Sequence, residues 1–122
     1  MNNDEFVKNY YEFAERALKF SEISRSEGLL ALDNKLYEDK IKERDIFEYG
    51  MRFVVDGTER TLIERILSNI IAQEKDALAR QFKLMQKEAV LMLQEGMNYR
   101  IVHAMLNSFT GLSLNEDKLT MM

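Results

Sequence analysis

Cysteine and proline are both absent from the 122 residues, and histidine occurs once. Without cysteine there is no disulfide framework, no thiolate nucleophile and no cysteine-ligated zinc. Without proline, no helix interior is interrupted by a residue that lacks its amide hydrogen and crowds the preceding turn. The single histidine, His103, cannot assemble the paired Glu-x-x-His ligands of a di-iron bundle or a histidine-rich zinc site. The five glycines are scattered along the chain, so no glycine-rich phosphate loop is formed. Neither a cofactor nor a metal is expected, and no catalytic residues stand out.

Long apolar runs are missing too. A membrane-crossing helix needs about 20 consecutive apolar residues, whereas the longest run here extends from Ala89 to Leu93. The opening Met1-Asn2-Asn3-Asp4-Glu5 is polar and acidic, where a secretory signal is basic and then apolar. The expectation is a soluble cytoplasmic protein without direct membrane insertion. The net charge of -4 comes from 17 basic and 21 acidic residues interspersed throughout, and no basic patch suited to nucleic acid is concentrated anywhere. The length and the 46% hydrophobic content suit one domain, residues 1–122, with a modest core.

What the chain does contain is helical periodicity. Phe6, Tyr10, Phe13, Ala17, Phe20 and Ser24 recur at spacings of three and four, which predicts one buried helical face. Asn3 or Asp4 is suited to cap that helix. The pattern runs on through Gly28 and Ala31, with Leu29, Leu32 and Leu36 on a neighbouring strip. A glycine inside a helix costs about 1 kcal/mol relative to alanine, so Gly28 points to tight packing or a bend. The highly charged stretch from Tyr37 to Arg44 reads as a solvated helix end and a connector. Asp45 then caps a short helix through Val55 that turns Phe47, Met51 and Val54 or Val55 inward, and Gly57 ends it in a left-handed conformation, with Thr58 as the next cap.

No breaker occurs from Glu59 to about Glu95, which predicts a single helix of roughly 55 Å. Its stripe is Leu67, Ile71, Glu74, Leu78, Phe82, Met85, Ala89 and Met92. The Ile63, Ile66 and Ile70 end is expected to pack on the first helix, and the Phe82 to Met92 end to be less covered. Gly96 stops this helix, and Asn98 caps a last one from Tyr99 to Phe109 with Val102, Met105, Leu106 and Phe109 inward. Residues 110–122 read as a flexible tail. The predicted fold class is all-α, an elongated helical bundle of about four helices including one very long helix.

Arg25 and Asp33 are eight residues apart, so on one continuous helix they project within roughly 80° of each other. Around them runs Ser24-Arg25-Ser26-Glu27-Gly28-Leu29-Leu30-Ala31-Leu32-Asp33. It is followed by Phe53-Val54-Val55-Asp56-Gly57-Thr58 and later by Ala89-Val90-Leu91-Met92-Leu93-Gln94-Glu95-Gly96-Met97-Asn98-Tyr99-Arg100. Together these three stretches, in this order, resemble the cytoplasmic part of the MotA-type flagellar stator proteins, of the MotA/TolQ/ExbB family. The resemblance covers about Phe20 to Phe109. It implies that Arg25 and Asp33 correspond to the arginine and acidic residue of an "RxxGxxxLE" pattern, a charged pair that contacts the rotor switch protein FliG. Asp33 is one methylene shorter than the usual glutamate, and Tyr99 stands where the family has proline.

The family's last two membrane spans lie between the second and third of these stretches, and neither is present here. Without the spans that hold the ion path, the chain cannot conduct ions. What the resemblance implies is therefore a protein–protein interaction role in the flagellar motor. One form of that role is a stator cytoplasmic part that transmits torque to the rotor; the other is a soluble paralogue that regulates or scaffolds the motor. The partners implied are FliG or other motor components, with a homo-oligomer also open. The alternative is a helical adaptor or chaperone-like module that binds a partner helix through Met85, Met92, Met97 and Met105, unrelated to motility.

Overall fold

Residues 1–38 and 45–119 are described by a computed structural model, and among them there is no strand. Helix α1, Asn3–Glu27, is the longest element. Asn2 caps it by accepting from the Glu5 amide at 2.8 Å, one residue ahead of the predicted caps. The anticipated stripe is buried at Phe6, Tyr10, Phe13, Ala17 and Phe20. The predicted continuation to Leu36 does not occur. Gly28 takes φ +91° and ends α1, and a new helix α2, Ala31–Glu38, places Leu32 and Leu36 in the core. Asp39 to Arg44, part of the charged stretch expected to be a solvated helix end and connector, lie outside the described residues.

Helix α3, Ile46–Val55, begins at Asp45, whose carboxylate accepts from the Glu48 amide at 2.8 Å. As expected from its pattern, Phe47, Met51 and Val54 are buried. Gly57, at φ +80°, terminates the turn that follows, but Glu59 and not Thr58 occupies the cap position of the next helix.

The predicted helix of roughly 55 Å is not continuous. It is folded in half into α4, Arg60–Ile71, and α5, Ala77–Gln94. Asp76 caps α5 through the Ala79 amide at 2.8 Å, the Arg80 guanidinium donates to the Glu74 carbonyl, and Lys83 pairs with the Glu74 carboxylate at 3.0 Å. Gln94 Nε2 donates to the Thr58 carbonyl at 2.8 Å and Arg60 forms an ion pair with Glu95, so the end of α5 lies beside the start of α4. The two helices form an antiparallel hairpin. Folding lets each apolar stripe cover the other, whereas one straight rod would leave both stripes short of partners.

Helix α5 is the hub, packed against α1, α3, α4 and α6 (Tyr99–Asn107). Met85, Ala89, Val90, Leu91, Met92 and Leu93 are all buried, so the half expected to be less covered is the central one. Conversely, α4 packs on α3 and α5 and not on α1, and Leu62 remains 46% exposed. Gly50 makes the α3–α5 approach possible, since a Cβ there would meet Val90 Cγ2 at 2.8 Å and Leu67 Cδ1 at 3.0 Å. Beside it, Phe13 and Phe20 each meet Phe47 edge to face at 5.2 Å, and the Arg16 guanidinium lies 5.0 Å from the Phe47 ring centre. The architecture among the described residues is thus all-α with six helices, of which α1, α3, α4 and α6 pack on α5.

The final segment also departs from expectation. Residues 110–119 are not a loose tail: they return along α1 and α6, and Asp117 is only 2% exposed. Residues 120–122 of the predicted tail lie outside the described residues.

Candidate functional site

Three turns that are distant in sequence meet at one corner. Gly28, Gly57 and Gly96 all adopt positive φ and end α1, α3 and α5 respectively. Each belongs to one of the three stretches singled out in the sequence. The Arg25 guanidinium donates to the Gly96 carbonyl at 2.7 Å, which ties the first stretch to the third. Gln94 and Thr58 tie the third to the second, and the Arg60–Glu95 pair reinforces that join from the surface. Between Arg25, Leu29, Leu93 and Gln94 lies a shallow cleft of about 470 Å³.

Arg25 and Asp33 are both exposed, as anticipated, but they do not share a helix, because Gly28 separates α1 from α2. Arg25 is committed to the corner through its bond to Gly96. The Asp33 carboxylate has no hydrogen-bond or ion-pair partner among the described residues. Leu30, on the turn between them, is 79% exposed, more than any other large apolar side chain described. An exposed apolar side chain three residues from an unpaired carboxylate, next to the corner that Arg25 holds, is a shape suited to docking on another protein.

The methionine face does not form. Met85 and Met92 are buried, Met97 is half-buried, and only Met105 reaches solvent appreciably, at 36%. Two glutamates form ion pairs between elements, Glu74 with Lys83 across the α4–α5 turn and Glu95 with Arg60.

A second feature is a groove of about 550 Å³ floored by Phe13, Ile46, Ile70 and Phe82. Its charged rim is already occupied internally. Asp45 accepts from Arg16 at 2.8 Å and from the nearly buried Gln86 at 3.3 Å, and Lys83 is held by Glu74.

The third feature was not anticipated at all. Asp117 Oδ2 accepts from the Tyr10 hydroxyl, from Asn107 Nδ2 at 2.8 Å and lies 3.0 Å from His103 Nε2, while Oδ1 accepts from the Leu119 amide at 2.8 Å. Tyr10, His103, Asn107 and Asp117 are each less than a tenth exposed. Burial alone would raise the Asp117 pKa, but the donors from Tyr10, Leu119, Asn107 and His103 outweigh it and hold the carboxyl below its ordinary range. Burial first, and then the bond to Asp117, push the Tyr10 phenol well above its ordinary value.

A signal for this cluster was present on one side only. Tyr10 interrupts an otherwise apolar stripe with a hydroxyl that must find a partner when buried, and His103 follows the inward-facing Val102. Nothing in Asn115-Glu116-Asp117-Lys118 announces a buried residue. Among the described residues no group of three or more histidine, aspartate or glutamate side chains is placed to hold a metal ion. No protein-family model, curated protein or solved structure matches the chain.

Proposed function

We propose that this protein acts through protein–protein contact at the corner where the three turns meet, in the manner of the MotA-type cytoplasmic region that those stretches resemble. The observation that supports this reading is the convergence itself: the three stretches, spread over Ser24 to Arg100, are joined by Arg25 to Gly96 and by Gln94 to Thr58. Next to this corner, the exposed Leu30 lies on the turn after Gly28 and the exposed Asp33 in the first turn of α2. The partner in this reading is the rotor switch protein FliG, and the role is torque transmission or regulation of the motor without ion conduction. No helix among the described residues is long and apolar enough to cross a membrane. Asp33 supplies the charge for the contact. Arg25 shapes the surface that presents it.

Charge pairs at an exposed contact give speed and selectivity more than affinity. Asp33→Lys is therefore expected to weaken binding to purified FliG by about five- to ten-fold at low salt, with a smaller loss at physiological ionic strength, where the screening length is about 8 Å. Thermal stability of this variant falls only slightly, by no more than about 1 kcal/mol, since the carboxylate has no hydrogen-bond or ion-pair partner among the described residues and loses only its favourable place in the first turn of α2. Arg25→Glu should weaken the contact and also loosen the corner. Binding to FliG that is absent in the wild type, or indifferent to both substitutions, would remove the rotor role and leave a helical adaptor unrelated to motility.

A further inference from the structure

The segment 110–119 is attached to the rest of the molecule in an unusual way. Within it, Asp117 is the only residue that is buried; Thr110, Leu112 and Leu119 are half-covered, Leu114 is 64% exposed and the remaining side chains face solvent. A segment that belongs to a core is ordinarily fixed by apolar side chains, whose burial is favourable without a specific partner. Here the buried anchor is a carboxylate. It is received by three side-chain donors from two helices, Tyr10 of α1 and His103 and Asn107 of α6.

Those donors are positioned by their helices and not by the segment. Tyr10 lies on the buried stripe of α1, between Phe6 and Phe13, and His103 and Asn107 sit one turn apart on α6 beside the buried Val102 and Leu106. A phenol hydroxyl, an imidazole N–H and an amide NH₂ converging on one point make a receptor for an anion with acceptor-only oxygens. The rest of the attachment is only partly covered: Leu112 and Leu119 pack half-buried against the core, and the Tyr11 hydroxyl donates to the Glu116 carbonyl at 3.4 Å. Tyr11 Oη accepts from the Lys118 amide at 3.2 Å, and the Lys118 ammonium lies 5.9 Å from the Tyr11 ring centre, both on exposed surface. Desolvating a carboxylate cancels much of what its hydrogen bonds return, so such a seat favours selectivity over tightness.

We propose that Tyr10, His103 and Asn107 form a carboxylate-binding site, filled in cis by Asp117, and that an aspartate-bearing segment of a partner protein takes the place of Asp117 when residues 110–119 swing away. The chain's own segment defines the ligand class: a short, extended, polar peptide whose aspartate enters between α1 and α6. Because the internal segment is tethered, it excludes weak competitors and yields to a partner that adds contacts of its own.

The test uses Asp117→Ala in the 122-residue chain, which empties the site and leaves its donors on α1 and α6 in the sequence. His103 is the only histidine, so its ring signals in NMR report on the site without ambiguity. Formate is expected to shift those signals and to raise the melting temperature of Asp117→Ala relative to chloride at equal ionic strength, and to do neither in the wild type. A synthetic peptide of residues 110–119 should bind Asp117→Ala about ten-fold more tightly than the same peptide with asparagine at the aspartate position, as expected for a hydrogen bond to a charged group. No response of His103 to formate or peptide would overturn the site. The exchange of the segment is tested separately in the wild type, which also covers the case of a variant that fails to fold. The Leu119 amide, bonded to Asp117, should exchange with solvent by local opening, at least a hundred-fold faster than the slowest amides of α1 and α6. If it exchanges only with global unfolding, the segment is a fixed part of the core and the proposal falls.

Discussion

Phe47 and Asp117 are both almost wholly withdrawn from solvent, yet they fasten their surroundings by different physics. Phe47 joins α3 to α1 through Phe13 and Phe20, and it lies in the core beside α5. Its burial contributes roughly 2–3 kcal/mol and demands shape but no specific partner. Asp117 joins residues 110–119 to α1 and α6 through donors on one oxygen, and each donor must be in place before the desolvation of the charge is offset. The apolar join makes the hub around α5 cooperative. The polar join makes the final segment conditional.

That contrast is sharpest if Phe47 is truncated. Phe47→Ala should cost about 3–5 kcal/mol of unfolding free energy in urea titration, because the aromatic contacts around it cannot collapse into the space. A loss under about 1.5 kcal/mol would mean that the hub is more plastic than its packing suggests.

Gly50 tests the closeness of the same packing from the opposite direction. In an ordinary helix, glycine to alanine is stabilising by up to about 1 kcal/mol. Against the Val90 methyls at 2.8 and 2.9 Å, Gly50→Ala should instead destabilise by about 1–3 kcal/mol. A gain in melting temperature would show that α3 and α5 can move apart at little cost.

On the polar side, Asp117→Ala should cost about 1–3 kcal/mol and Tyr10→Phe about 1 kcal/mol. The two losses should fall short of additive in the double variant, because both remove the same bond. Full additivity would separate Tyr10 from the carboxylate and weaken the contrast with Phe47.

The smallest effect is the dependence on pH. Asp117 is held below its ordinary range, so its contribution is fully present above the unfolded carboxyl pKa of about 4 and is lost as pH falls through the lower folded value. Tyr10 is held above its ordinary range, so its contribution is present below about pH 10 and declines as pH rises beyond it, where the unfolded phenol ionises first. Tyr10→Phe should flatten the alkaline decline relative to wild type in equilibrium unfolding. Apolar contacts around Phe47 carry no such dependence, and Phe47→Ala should leave the shape of the pH curve unchanged.

Much of this was legible from residue types and spacing. The stripe on α1, the inward Phe47, Met51 and Val54, the Asp45 and Asn98 caps and the stops at Gly57 and Gly96 follow from local rules that operate within one or two turns of chain. The hairpin at residues 72–76 did not, because no glycine or proline marks it; Asp76 and Glu74 are weak signals that act only once α4 and α5 have partners for their apolar faces. The shared exposed side expected of Arg25 and Asp33 failed for the opposite reason. Gly28 is a local signal, but whether it bends, packs or ends a helix depends on what lies beside it.

The order and character of the helices were thus determined by the sequence itself, since periodicity and capping are properties of neighbouring residues. Which helix became the hub, where the long apolar stretch folded back, and that Asp117 would leave the surface for a seat between Tyr10, His103 and Asn107 were decided only in the tertiary structure. Those choices depend on contacts between residues as far as 107 positions apart, and no local pattern encodes the free energy of a charge whose donors are supplied by another part of the chain.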